Sequence, residues 1–354
     1  MANEFNNFFS SIGNKISNSV LPTVKKAESY LYEDPNLREF ELNPINQAQI
    51  IDIAKNMESK ASSDSDGLST NIIKKIIFEI SIPLAHIFSL STSNGYFPKA
   101  MKTARVVPIF KNGDPTSTDN YRPISLLCSL SKILEKIVAN ELLNHLENNN
   151  LLYKHQYGFQ RNKNTEHNLL SATNFIYEAL NKNEYCIGLF LDLKKAFDVC
   201  SHSILLTKLK YMGIKNVALN WFSSYLSDRS QYVDLNGSHS QHKFIRISVM
   251  QGSILGPILF LCYINDLYKA SNLFTLMFAD NTSAFKSGKD LKQLTIDFNK
   301  EINKMAVWFR ANKMAVNVSK TNFIVFRTRG KKLTRTTVNS CTMPMKKTSK
   351  LTRN

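Results

Sequence analysis

After Glu301 the sequence contains no aspartate or glutamate, although lysine and arginine continue to Arg353. That missing sign concentrates an overall formal charge of +17 in the C-terminal part. Such an excess suits a polyanion, and nucleic acid fits better than a membrane surface because no basic amphipathic anchor helix stands out. Charge runs also serve simply as solvated faces. Cysteine is sparse: Cys128, Cys186, Cys200, Cys262 and Cys341 are odd in number and scattered, with no CxxC pair. This excludes a disulfide framework and leaves reduced thiols of an intracellular protein as the expectation. The seven histidines show no metal-ligand spacing, so zinc is not expected. Long hydrophobic runs are missing too. Ile254–Ile264 is broken by Gly256-Pro257 and is too short to span a bilayer, and MANEFNNFFSSIGNKI lacks the layout of an export signal. The expectation is a soluble, unsecreted chain of the nucleus or cytoplasm with no membrane partner; Lys331-Lys332 is only a weak nuclear signal. GxGxxG, Walker A, HExxH and GxSxG are all absent, so the chemistries that they support have no footing.

What is present is enough chain, 354 residues, for a sizeable core in one large domain or a few subdomains. Phe5, Phe8, Phe9, Ile12 and Ile16 recur at helical spacing and predict an amphipathic helix between Glu4 and about Tyr32. Helices are expected over Asn46–Met57 and Thr70–Ile80. The intervening KASSDSDGLS, Lys60–Ser69, is either the N-cap of the latter or a loop approaching phosphate, and its residues allow both. Ala104–Phe110 reads as a strand and KNGDP as a turn. In NYRPISLLCSLSKILEKIVANELLNHLE the period of Leu126, Leu130, Ile133, Leu134, Ile137 and Leu142 predicts one long helix started by a proline.

Leu169–Asn181 is a further helix, before Tyr185–Leu191, which has the length and apolarity of a buried strand. Lys208–Leu226 is mostly helical. A strand opens at Gln231, turns at Asn236-Gly237 and finds its partner in Phe244–Ser248. Helix Ile254–Tyr268, strand Leu273–Phe278, helix Leu291–Arg310 and strand Asn322–Arg327 complete a mixed α/β or α+β body.

Two of these strands run straight into an acid. In LFLDLKKAFD the apolar run ends on Asp192, and in MFADNTSAF a tight turn carries Asp280. A carboxylate at the end of a buried strand is costly unless a cation receives it. If the two strands are neighbours, both acids meet at one sheet edge and form an oxygen-rich site of the kind that Mg²⁺ accepts. Metal ions about 4 Å apart in such a site catalyse in-line displacement at phosphorus. The reading becomes phosphoryl or nucleotidyl transfer on a basic protein, with hydrolysis by a nuclease still open.

LFLDLKKAFD, QGSILGP and FADN, in this order and at this separation, resemble the palm of reverse transcriptases from non-LTR retrotransposons, the LINE-type, jockey-like transposable elements. KNGDPTSTDNYRPISLLCSLSKILEKIV and QYGFQRNKNTEHNL look like the fingers motifs before that palm, and WFRANKMAVNVSKTNFIVF resembles the segment after it. The resemblance implies an α+β, right-hand polymerase with fingers and palm, an antiparallel palm sheet packed on helices. It implies a linker-like helical extension over 1–58, fingers over 59–184, palm over 185–330, and over 331–354 a basic tail opening a truncated thumb connection. The implied activity is RNA-directed DNA polymerisation with two Mg²⁺ ions, or Mn²⁺, on an RNA template and DNA primer, using dNTPs.

Residue by residue, the resemblance makes Asp192, Asp280 and Asn281 the catalytic metal-site positions, with the backbone of Leu193 as a further ligand. Phe197 becomes the steric gate under the sugar, where a ring leaves no room for a 2′-hydroxyl. Gln251 and Gly252 lie beside the incoming nucleotide and template, Gly252 allowing close backbone approach. Lys111 and Arg122 pair with the triphosphate. Lys320 sits near the leaving pyrophosphate as a proton donor, and Arg161 and Lys163 contact nucleic acid. SSDSDGLS resembles an upstream Ser/Gly/Asp-Gly motif of the family, with helix capping still a sufficient reason for its residues.

The departures matter as much. The family's FADD is here Phe278-Ala279-Asp280-Asn281, and Met250 stands where the family has proline before Gln251. The sequence stops at SKLTRN, about where the family's primer-grip strand is expected, so an endonuclease or thumb is expected to be supplied elsewhere. Activity weakened by FADN and by truncation is one expectation. A catalytically inactive nucleic-acid-binding remnant, or domesticated copy, is the alternative.

Overall fold

A computed structural model describes residues 1–32, 34–59, 64 and 66–331. Cys341 and the basic tail from 332 onward lie outside them. In chain order the elements are α1 (Ala2–Ser19), α2 (Gln47–Asn56), α3 (Thr70–Ser93), β1 (Thr103–Phe110), β2 (Tyr121–Leu127), α4 (Ser129–Asn148), α5 (Thr165–Asn181) and β3 (Tyr185–Leu191). Then come α6 (His202–Tyr211), α7 (Asn216–Leu226), β4 (Arg229–Leu235), β5 (Ser238–His239), β6 (Lys243–Ile245), α8 (Leu255–Ile264), β7 (Phe274–Phe278), β8 (Asn281–Gly288), α9 (Leu291–Ala311) and β9 (Asn322–Phe326). The chain divides into two units.

The first unit comprises residues 1–15, 32–151 and 197–262. Its sheet runs β2-β1-β4-β5, with β6 also on β4. Phe5 and Phe9 of α1 bury against Val106 and Val233 on this sheet, which explains the aromatic spacing near the N-terminus. The α2 start is a capping box: Asn46 accepts from the Gln49 amide and the Gln49 side chain accepts from the Asn46 amide. One expectation is corrected here. Tyr121–Leu127 is not the first turns of a helix but a strand, paired antiparallel with β1 from Ala104↔Leu127 to Phe110↔Tyr121. Pro123 withholds a donor, and the pairing with β1 overrides a leucine period that happens to run across the boundary. The helix begins only at Ser129.

The third helix also extends beyond its predicted end, passing Pro83 to Ser93 because Ile77, Leu84 and Phe88 are buried along one face. Among the described residues it is the helix long and apolar enough to cross a membrane. It makes contacts with α2, α4 and α7.

The second unit comprises, among the described residues, 16–31, 152–196 and 263–331. Its sheet, in the order β7-β8-β3-β9, is antiparallel throughout, with α5 and α9 in contact with it. Tyr157, Ala179, Cys186, Leu276 and Phe285 form its buried core cluster. The strands ending on Asp192 and Asp280 are therefore not neighbours. β8 lies between them, since the chain turns back after Asp280 and pairs with β3 from Leu191↔Thr282 to Tyr185↔Gly288. The two acids still meet at one sheet edge, by way of the hairpin turn.

Candidate active site

Strand β3 ends at Leu191, buried, and places Asp192 just past the last ladder pair. The β7–β8 hairpin closes with Phe278 opposite Asn281, so Ala279 and Asp280 form a two-residue turn. Ala279 sits at φ 55°, the left-handed region that such tight hairpin turns need and that favours glycine. The strained turn is held from the side. Gln156 Oε1 accepts from the amides of Gly158 (2.9 Å) and Ala279 (3.0 Å), and Gly158 approaches so closely that a Cβ there would lie 2.3 Å from the Ala279 nitrogen. The QYGF segment thus buttresses the acid-bearing turn.

Burial pushes the Asp280 carboxyl above its ordinary range, and the charge of Asp192 adds to the shift. A buried carboxyl beside a second acid forms a site suited to divalent cations. Leu193 pairs with Val316 in a short antiparallel bridge whose bonds run from Lys194 N to Ala315 O and from Asn317 N to Asp192 O, both 2.9 Å or shorter. In that pattern the Leu193 carbonyl stays outside the ladder. The carboxylates of Asp192 and Asp280, the Leu193 carbonyl and the carboxamide oxygen of Asn281 are oxygen donors of the kind that Mg²⁺ or Mn²⁺ accepts. Asn281 is exposed at the start of β8. Lys320 is exposed as well, on the turn in which its amide donates to Asn317 O (3.1 Å).

Arg161 is exposed. Lys163 sends its ammonium to the carbonyls of Lys154 (2.9 Å) and Gln156 (3.0 Å), so it closes the loop that carries Gln156. Sequence reasoning missed Gln156 and Gly158, as well as Asn317, whose side chain donates to Asp192 Oδ2 at 2.8 Å. Only their presence inside quoted motifs could have pointed to them.

The other expected residues belong to the first unit. The β1–β2 register sets Arg122 opposite Ile109, hence on the same face as Lys111, and both cations are exposed. Gly252, at φ 107°, makes its close backbone approach to the carbonyl of Ser125: a Cβ would lie 2.5 Å from it. Ser125 N in turn donates to Gln251 O at 3.0 Å, and the Gln251 side chain donates to Asp198 Oδ1 at 3.2 Å. Glu135 was another omission. Fully buried on α4, it accepts from the amides of Ile254 (2.8 Å) and Leu255 (3.3 Å) and so holds the start of α8 just after the Gln251 turn. Burial pushes its carboxyl upward. Phe197 is half-buried, its ring stacked on Phe260 at 4.7 Å between centroids.

Asp64, from SSDSDGLS, accepts from the amides of Asp66 and Leu68 and, through Oδ2, from that of Ser129 at the first turn of α4. Ser69 accepts from the Ile72 amide at the start of α3. The helix-capping reading is present here twice, once for a helix far along the chain. Asp64, Asp66 and Cys128 bring ligand atoms within 4.8 Å of one another, but Asp64 already spends both oxygens on backbone amides.

Residues 109–349 match the family described as reverse transcriptase (RNA-dependent DNA polymerase). Among similar proteins is the RNA-directed DNA polymerase from mobile element jockey of Drosophila melanogaster, 30% identical over 86% of this chain and 34% of that protein. The probable RNA-directed DNA polymerase from transposon BS of the same organism is 30% identical over 82% of this chain and 33% of its own length. The Pol polyprotein from type-1 retrotransposable element R2 of Popillia japonica is 29% identical over 57% and 27%. The chain spans about a third of the length of the first two.

Proposed function

The chain belongs to the reverse transcriptase family, and from that premise we propose that it carries the RNA-directed DNA polymerase core of a non-LTR retrotransposon. The observation that carries the proposal is the meeting of Asp192 and Asp280 at one edge of an antiparallel sheet, where burial and then the charge of Asp192 push the Asp280 carboxyl upward. Divalent ions, when bound there, would supply the Lewis-acid chemistry of nucleotidyl transfer to a primer 3′-hydroxyl. Asp192, Asp280, the Leu193 carbonyl and Asn281 would hold those ions. Lys111 and Arg122 take triphosphate oxygens, Phe197 excludes a 2′-hydroxyl, and Gln251 and Gly252 orient base and template. Lys320 supplies a proton to pyrophosphate, while Arg161 and Lys163 border the nucleic acid.

Asn281 favours a second reading. Asparagine keeps an oxygen that can ligate a metal but removes one negative charge from a site that balances two dications. The chain then binds primer–template more readily than it extends it. Primer extension on an RNA template with Mg²⁺ or Mn²⁺ separates the two: extension supports the polymerase, binding without extension the non-catalytic copy, and template shortening a nuclease.

A further inference from the structure

We propose that Asn317 is a positioning residue that aims the Asp192 carboxylate, an inference that rests on Asp192 being a metal ligand. The chain leaves α9, makes the short bridge between Val316 and Leu193, and reaches Asn317 at its end. There Asn317 grips Asp192 twice, its backbone amide donating to Asp192 O and its side-chain Nδ2 to Asp192 Oδ2, both at 2.8 Å. The grip is itself oriented. Ser319 Oγ donates to Asn317 Oδ1 at 2.8 Å, which turns the amide so that Nδ2 faces the carboxylate. Thr321 Oγ1 donates to the Asn317 carbonyl at 2.9 Å and fixes the turn.

One oxygen of Asp192 is thus committed to the amide. The other, Oδ1, and the Leu193 carbonyl remain outside the clamp. A carboxylate held at one oxygen swings less, so its other oxygen is held closer to one direction, which is what a metal ligand needs from the groups behind it. The requirement is sharper here than in a site with three acids, because Asn281 supplies no charge to compensate for a wandering Asp192.

Replacing the side chain leaves the backbone part of the clamp in place, so Asn317→Ala removes aim rather than fold. The test is Mn²⁺ alone, titrated into the full chain and followed by the electron paramagnetic resonance signal of free Mn²⁺. Asn317→Ala is expected to weaken binding by roughly tenfold, the scale for losing a partner that orients a metal ligand. Ser319→Ala, an exposed position that disturbs only the amide's orientation, is expected to weaken it by a smaller factor. Unchanged Mn²⁺ affinity in Asn317→Ala overturns the inference, and if that variant does not fold, unchanged affinity in Ser319→Ala overturns it. Asp192→Ala is the control. If Mn²⁺ binding survives it, the assignment of Asp192 as a ligand fails and this inference falls with it, whereas loss of binding there with no effect of Asn317→Ala sinks the inference alone.

Discussion

Gln156 and Ala279 meet across 123 positions of sequence, the glutamine Oε1 accepting the amide of the residue that makes the acid-bearing turn at 3.0 Å. Both groups are buried, so Gln156→Ala leaves the amides of Gly158 and Ala279 without their acceptor, at a cost of about 1–3 kcal/mol. Ala279→Gly acts in the opposite direction, since the left-handed conformation penalises a side chain by roughly 1–2 kcal/mol. Thermal denaturation of both variants checks the signs: the first lowers the midpoint and the second raises it.

The raised Asp280 carboxyl ties stability to pH. Burial first, then Asp192, favours its protonated form in the folded chain. A group of this kind contributes stability that is fully present below its unfolded value, about 3.9, and is lost as pH rises through the folded value. Without metal, Asp280→Asn therefore stabilises the chain near neutrality, and the advantage shrinks to nothing as the pH falls below about 4. Denaturation midpoints of the two proteins across that range measure it, and a constant difference would contradict the assigned cause.

Asn281→Asp restores a third acid beside Asp192 and Asp280. In metal-free buffer the added repulsion lowers the thermal midpoint. Adding Mn²⁺ raises it, by more than in the parent, because a ligand bound only to the folded state stabilises by mass action. A midpoint that responds equally to Mn²⁺ in both proteins would show that the asparagine does not limit metal binding.

Glu135 supports the turn that carries Gln251 from beneath. Glu135→Ala leaves the Ile254 and Leu255 amides without their acceptor, and each unsatisfied buried group costs about 1–3 kcal/mol. Glu135→Gln keeps an acceptor oxygen for those amides, so it costs less than the alanine variant. Urea midpoints rank the parent and glutamine variant well above the alanine variant.

What could be read along the chain and what could not follows from the range of the forces. Tyr185–Leu191 was legible because its whole length is apolar and it ends on an acid. Tyr121–Leu127 was misread because its strand character comes from β1 and not from its own residues. The order β7-β8-β3 was hidden for the same reason: nothing local in NTSAF says which strand it will pair with. At the site, Asp192 and Asp280 were visible as acids ending apolar runs. Glu135, in contrast, sits in a helical pattern where a glutamate ordinarily marks a solvated face, and Asn317 lies in a turn where asparagine needs no special reason.

The central claim is that Asp192 and Asp280 form the metal-dependent polymerase site, and extension of a DNA primer on an RNA template with Mn²⁺ tests it most directly. The account predicts that the parent chain, or failing that the Asn281→Asp chain, extends the primer. It further predicts that Asp192→Ala reduces that extension by roughly a hundredfold or more, the scale of losing a group that stabilises transition-state charge. Extension undiminished by Asp192→Ala, or none from either chain while both bind Mn²⁺ and primer–template, would contradict it.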